Sequence, residues 1–197
     1  MKTSDLLQKV NLPENTMGSW AVKKFTISEA DASFHRLRCA MNGNNRGVTA
    51  GTYTKLQHEN SSSPMMSDTP AEMRDHWEPV NEAKDWCLIA GLGLGMVAEA
   101  MLRKTEVFKV TVIEISEDII ELVAPTLEER WGDRIEIIHA DIFEWKPPKG
   151  QRYGACWFDI WPNICEDNLP EMATLHRKYG KRTDWQGSWA QHECRRW

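Results

Sequence analysis

Three glycines and three carboxylates are spaced so that they could serve one ligand. Gly91, Gly93 and Gly95 alternate in "CLIAGLGLGM", where a short apolar run gives way to a helical pattern. Glycine permits a tight turn and lets backbone approach a ligand with no Cβ between them. The helix that follows opens with unpaired N–H groups directed toward the same crevice. About twenty residues on, Glu114 closes "VTVIEIS", with Ile115 beside it. An unpaired charge interrupting an apolar strand is costly, and a carboxylate at that strand end could accept both hydroxyls of a ribose. Asp141, in "HADIF", could accept an adenine amino group while Ile142 and Phe143 contact the base. Dinucleotide sites more often read G-x-G-x-x-G, whereas positions 96 and 97 here are Met and Val, so the set suits a nucleoside without a pyrophosphate.

The third carboxylate, Asp159 in "FDIWPN", could orient or deprotonate an amine, or accept hydrogen bonds from a cationic substrate. Trp161 could wall the pocket and offer its π-face to a cation. Each feature also has a structural reading: a ligand-free turn, a solvated Glu114, an Asp141 that caps a turn, and a strand-terminal Asp159 with Trp161 as core.

The elements that must position these residues follow from periodicity. From residue 86 the chain alternates short apolar runs ("WCLIAGL", "FKVTVIEI", "RIEIIHAD", "YGACWFDIW") with helical patterns, among them "SEDIIELVAPTLEERW" behind Ser116 as N-cap. Strands alternating with helices predict an α/β fold, a doubly wound, Rossmann-like and mostly parallel sheet. Each carboxylate would then end a strand on one rim. Upstream, "WAVKKFTIS", "SFHRLRCAM" and "VTAGTYTKLQHE", with Asn-Gly turn chemistry in "NGNNRG", predict a β-rich hairpin or meander. The expected division is a β-rich extension or lid over 1–62 and a cofactor-binding domain over 63–197. Thr69 and Pro70 read as the N-cap and first position of a helix that Pro79 ends or restarts. "ICEDNLPEMATLHRKYG" predicts one more helix, and the Trp-rich tail beyond it has no clear period.

Composition excludes several classes. The 197 residues carry a net charge of −5, which argues against a general nucleic-acid binder. The basic cluster around His176, Arg177 and Lys178 reads as a solvated helix end. Five scattered cysteines without C-x-x-C spacing imply neither a disulfide framework nor a metal site. No apolar run approaches membrane-spanning length and no leader is recognisable, so a cytoplasmic protein acting on a small molecule is expected. The ten tryptophans, Trp185, Trp189 and Trp197 among them, could close a pocket or join subunits of a homo-oligomer.

Taken together, "CLIAGLGLGM", "VTVIEIS", "HADIFEW" and "WFDIWPN" resemble the class I S-adenosylmethionine-dependent methyltransferases. The resemblance implies S-adenosyl-L-methionine as cofactor. Gly91, Gly93 and Gly95 would surround its methionine part, Glu114 and Ile115 the ribose, and Asp141 and Ile142 the adenine. Locally, "PMMSDTPAEMRDH" is similar to the Met-x-x-x-Thr-Pro segment of guanidinoacetate-type N-methyltransferases, which also carry an Asp-x-x-Pro matched by Asp159 and Pro162. A β-rich N-terminus before such a core also resembles the spermidine synthases. Both comparisons imply that Asp159 meets the substrate and that Met66, Thr69 and Glu72 lie near the cofactor entrance.

The expected reaction is methyl transfer to a small amine or guanidine. The alternatives are aminopropyl transfer, cleavage of the cofactor, or binding without catalysis. Such methyltransferases normally have seven strands, whereas here only residues 160–197 follow the fourth. The sheet is therefore expected to be shortened after strand four, with an edge that the tail, the N-terminal hairpin or another subunit must cover.

Overall fold

The computed structural model describes residues 3–43 and 46–196. After a short helix α1 (Thr3–Leu6), strands β1 (Asn15–Met17) and β2 (Trp20–Ile27) form a hairpin. Helix α2 (Glu29–Met41) leads to β3 (Gly51–His58), which pairs antiparallel with β2, and β4 (Met66–Ser67) completes a four-stranded sheet. The meander is thus interrupted: "SFHRLRCAM" is helical rather than extended. Ser28 caps that helix by accepting from Asp31 N at 3.1 Å, and Glu29 and Asp31 favour the positive end of its dipole. Ala32 and Cys39, seven positions apart, are its buried residues, a helical rather than a strand period. The expected Asn-Gly turn includes residues 44 and 45, which lie outside the described residues.

Helices α3 (Pro70–Asp75) and α4 (Trp77–Glu82) follow. The break falls at His76, which is both the C-cap of α3 and the N-cap of α4, so Pro79 sits inside the first turn of α4. A proline is tolerated there because its missing N–H has no intrahelical partner to lose.

The main sheet comprises β5 (Asp85–Ala90), β6 (Val107–Glu114), β7 (Ile135–His139), β8 (Tyr153–Phe158) and β9 (Thr183–Ser188). Its order is β7-β6-β5-β8-β9 and every pairing is parallel. The fifth strand lies in the tail where the sequence shows no period, and it covers the edge left by β8. Helices α5 (Met96–Leu102), α6 (Glu117–Trp131) and α7 (Leu169–Tyr179) connect the strands, and a short α8 (Gln191–Cys194) follows. Alternate residues of β5 serve opposite faces. Cys87 and Ile89 join a core with α5 and α6, while Leu88 and Ala90 join another with α7. No helix among the described residues is long and apolar enough to cross a membrane.

Strand order reverses beside β5: the chain proceeds outward to β6 and β7, then returns to β8 on the other side. Crevices at such switch points, beyond the carboxyl ends of the strands, are where open α/β sheets hold ligands.

Candidate functional site

A cavity of about 720 Å³ opens at that switch point. Gly91, at the end of β5, has φ +95, and a Cβ there would stand 2.1 Å from the backbone oxygen of Asp159 at the end of β8. The two strand ends are therefore in contact, and Asp159 N donates to Ala90 O at 2.9 Å. Gly93 has φ +51, and its Cβ space is filled by the Met66 sulfur of β4, which also accepts from Leu94 N at 3.3 Å. The small N-terminal sheet thus closes directly over the turn, and Trp20 and Leu56 from that sheet line the cavity. Gly95 begins α5 at φ +75 against Leu127 of α6 and does not line the cavity. All three glycines are required by the protein's own packing, and only Gly91 and Gly93 face the space a ligand would enter.

Glu114 is 6 % exposed. One of its oxygens accepts from Leu92 N at 2.7 Å and the other from Ser116 N at 2.8 Å. The carboxylate braces the glycine turn and the start of α6 at once, which repays its burial in an apolar strand. Two such bonds leave lone pairs on both oxygens for a ligand. Ile115 stands exposed on the rim. Asp141 Oδ1 accepts from Phe143 N at 2.8 Å, capping the turn that holds Ile142 and Phe143 in the wall.

At the other end of the cavity Asp159 keeps 19 % of its side chain exposed. Burial pushes its carboxyl up to about 7, and the neighbouring charge of Glu72 adds to the rise. The Trp157 indole beside it opposes the rise without reaching full hydrogen-bond geometry. Trp161 is 7 % exposed and donates from Nε1 to Glu171 Oε2 at 2.8 Å, so it is at once a core residue and a cavity wall. Glu72 accepts from Ser67 N at 2.6 Å and Ser67 Oγ at 2.8 Å, and burial raises its pKa. Thr69 is buried against Ser67 and does not line the cavity.

Sequence reasoning missed His76, Asp75, Trp157, Glu171 and Trp20, all of which line this space. Only the break between two helices could have singled out His76. In the tail, Trp185 stacks on Trp157 with ring centres 6.3 Å apart, and Trp189 joins the cavity wall. Trp197 lies outside the described residues. Among the described residues no group of His, Cys, Asp and Glu side chains is arranged to hold a metal.

No family model matches the chain, and no curated protein matches it. Solved structures do. The N-methyltransferase NodS from Bradyrhizobium japonicum is 19 % identical over 64 % of this chain and 72 % of its own, with a TM-score of 0.47. The 23S rRNA methyltransferase ErmE is 18 % identical over 58 % of this chain and 43 % of its own, with a TM-score of 0.42. The CcbJ methyltransferase from Streptomyces caelestis is 18 % identical over 50 % and 38 %, with a TM-score of 0.41. This chain thus spans less than half the length of the latter two.

The two ends of the cavity differ in character. Glu114, at the end of β6, and Asp141, after β7, lie on one side of the glycine turn among Ile113, Ile115 and Ile142. The Asp159 end combines Glu72, Asp75 and Glu171 with indole walls, and Arg46, the one guanidinium in the lining, is held by Asp75 through two bonds of 2.8 Å. An acidic, aromatic-walled recess favours a cation.

Proposed function

We propose that this protein transfers a methyl group from S-adenosyl-L-methionine to a small amine or guanidine. The observation that carries the reading is the contact between Gly91 and Asp159, which puts the glycine turn and the acidic recess in one continuous cavity. A volume of about 720 Å³ lies in the range of sites that enclose cofactors. The residues present fit the group: Glu114 retains lone pairs for ribose hydroxyls, Asp141 with Ile142 offers an acceptor beside an apolar wall for the base, and Gly91 and Gly93 border the remaining length. When bound, the cofactor supplies an electrophilic methyl on a sulfonium. The chain's own task is to align the acceptor nitrogen and exclude water. Asp159, ionised above about pH 7, holds that nitrogen or takes its proton. The N-terminal sheet, seated on the turn through Met66, acts as the cover of the donor end.

Calorimetry with S-adenosylmethionine, S-adenosylhomocysteine, the decarboxylated analogue and NAD tests the donor assignment, and preferential binding of NAD would refute it. Product analysis then separates reactions: S-adenosylhomocysteine marks methyl transfer and methylthioadenosine marks aminopropyl transfer. Glu114→Ala should weaken S-adenosylhomocysteine at least tenfold, about 1.4 kcal/mol, because it removes a charged acceptor and releases Leu92 N and Ser116 N together. Unchanged affinity in that variant would remove the ribose role from Glu114.

A further inference from the structure

At the acidic end of the cavity nearly every polar group is already engaged. Glu72 is held by Ser67 through both oxygens, Asp75 by Arg46 through both oxygens, and Glu171 receives the Trp161 indole N–H. Besides the Trp157 indole N–H, a buried donor beside Asp159 without a full hydrogen bond, two groups are left over. One is the Asp159 carboxylate. The other is His76 Nδ1, which is buried and has no hydrogen-bond partner among the described residues. The His76 side chain is 3 % exposed and lines the cavity, with its ring edge-on to Trp157 at 6.2 Å.

A buried ring nitrogen without a partner is uncommon in folded proteins, and each instance calls for a reason. Asp159 Oδ2 lies 3.9 Å from it, too far for a direct hydrogen bond. Burial drives the His76 pKa down to about 4, so the ring is neutral, and in the tautomer that carries its proton on Nε2 the Nδ1 atom is an acceptor. Two acceptors face each other across a gap of 3.9 Å. Nδ1 is itself closed to solvent, so with a small turn of the ring toward the cavity a single nitrogen can stand about 2.9 Å from both, provided that it carries two N–H bonds.

We propose that His76 Nδ1 and Asp159 Oδ2 together form a two-point acceptor for a nitrogen bearing at least two N–H bonds: a primary or secondary ammonium, or a guanidinium. The assignment rests on reading this end of the cavity as the amine site and adds the number of donors the amine must present. A tertiary ammonium carries the same charge but one N–H, and an alcohol has one donor and no charge. Both would leave one acceptor of the pair unmet. Asp159 supplies the charge and His76 the count.

The test titrates propylammonium, N-methylpropylammonium, N,N-dimethylpropylammonium and propanol into the protein at pH 8, with and without S-adenosylhomocysteine. Binding is read from the ¹⁵N resonance of His76 Nδ1 and by calorimetry. The first two ions should bind similarly and shift the Nδ1 resonance. The N,N-dimethyl ion should bind about tenfold more weakly, near the worth of one hydrogen bond, and propanol more weakly still. Comparison of the first methyl with the second separates loss of the second N–H from added bulk, since charge is constant throughout. His76→Leu should abolish the gap between the secondary and tertiary ions, and His76→Asn, which keeps an acceptor near the Nδ1 position, should restore it. A wild-type protein that does not distinguish the ions, an Nδ1 resonance that does not move, or a persistent gap in His76→Leu would overturn the assignment. Because the wild-type series needs no variant, a misfolded variant does not blunt the test. Failure of S-adenosylhomocysteine to bind, with the amine series intact, would count against the donor reading alone.

Discussion

Asp159→Asn should lower turnover at least a hundredfold while making the folded protein more stable at pH 8. The loss follows from the role given to this carboxylate, since a positioned base or charged acceptor typically contributes between about 10² and 10⁴. The gain follows from its environment. The Asp159 carboxyl ordinarily titrates at 3.8 and is raised to about 7 by burial and by Glu72. Below the ordinary value both folded and unfolded chains hold the proton, and Asp159 has no effect on stability. As pH rises toward 7 the unfolded chain ionises while the folded one does not, so the folded state loses ground. Above 7 the cost is complete, on the order of 4 kcal/mol. Asparagine never incurs it.

Melting temperatures of the two proteins should therefore part progressively as pH rises from about 4 to 7, with the variant higher by several degrees and the gap constant above 7. In the wild type, turnover should fall as pH drops through about 7. The groups facing this carboxyl, Glu72, Asp75 and His76, bear on the midpoint. His76, neutral above about 4, contributes no charge there, while Glu72 and Asp75 hold the midpoint up. Equal melting temperatures at pH 8 would mean that solvent reaches Asp159 freely. Equal turnover would leave it a strand-end residue with no part in the chemistry.

Gly91→Ala is expected to be among the most damaging single-methyl substitutions in the chain. At φ +95 a side chain is strained in any surroundings, and here the new Cβ would meet the Asp159 carbonyl at 2.1 Å. Backbone meets backbone, so no rotamer change can relieve the contact. Strain and overpacking together should cost about 3–5 kcal/mol, read as the shift in a urea midpoint at unchanged slope. Gly150 provides the control. Its φ is +82 but nothing lies within 4 Å of its Cβ position, so Gly150→Ala carries the conformational strain alone. That variant should lose about 1–2 kcal/mol. Similar losses at the two positions would mean that the contact between the ends of β5 and β8 contributes nothing to stability. In whatever fraction of Gly91→Ala remains folded, displacement of the Asp159 backbone should depress turnover more than cofactor affinity.

The parallel sheet was legible because buried strands must be apolar on both faces. "CLIA", "VTVIEI" and "YGACWF" announce themselves by content, and the carboxylates that end β6 and β8 stand out against it. Thr183–Ser188 gave no such signal. At the sheet edge, "TDWQGS" buries only Thr183 and Ser188, and no alternation survives. Helix α2 misled for the opposite reason. Phe34, Leu37 and Met41 are apolar yet exposed, so its large apolar residues mark no buried face, and the preceding strand encouraged a hairpin reading.

Within the site, residues at strand ends could be found, because a topology that places one rim residue places them all. His76, Asp75 and Glu171 could not. They come from helices on either side of the sheet, and their convergence depends on how those helices pack rather than on any spacing in the chain. His76 in particular was one histidine among six, and what distinguishes it is a buried Nδ1 without a hydrogen-bond partner among the described residues, which only three-dimensional neighbours define.

That single residue joins α3 to α4 without belonging fully to either, and its position has a consequence for how the protein could change over time. In the proposed reading, the nucleoside end of the cavity is encoded by the turns that follow β5, β6 and β7. The recess opposite draws Glu72, Asp75 and His76 from a short stretch containing no strand of the main sheet. Substitutions in that stretch can alter which nitrogen is admitted while the architecture that holds the donor goes on being inherited intact. Under that reading, fidelity to the cofactor and choice of acceptor are written largely in different passages of the same chain.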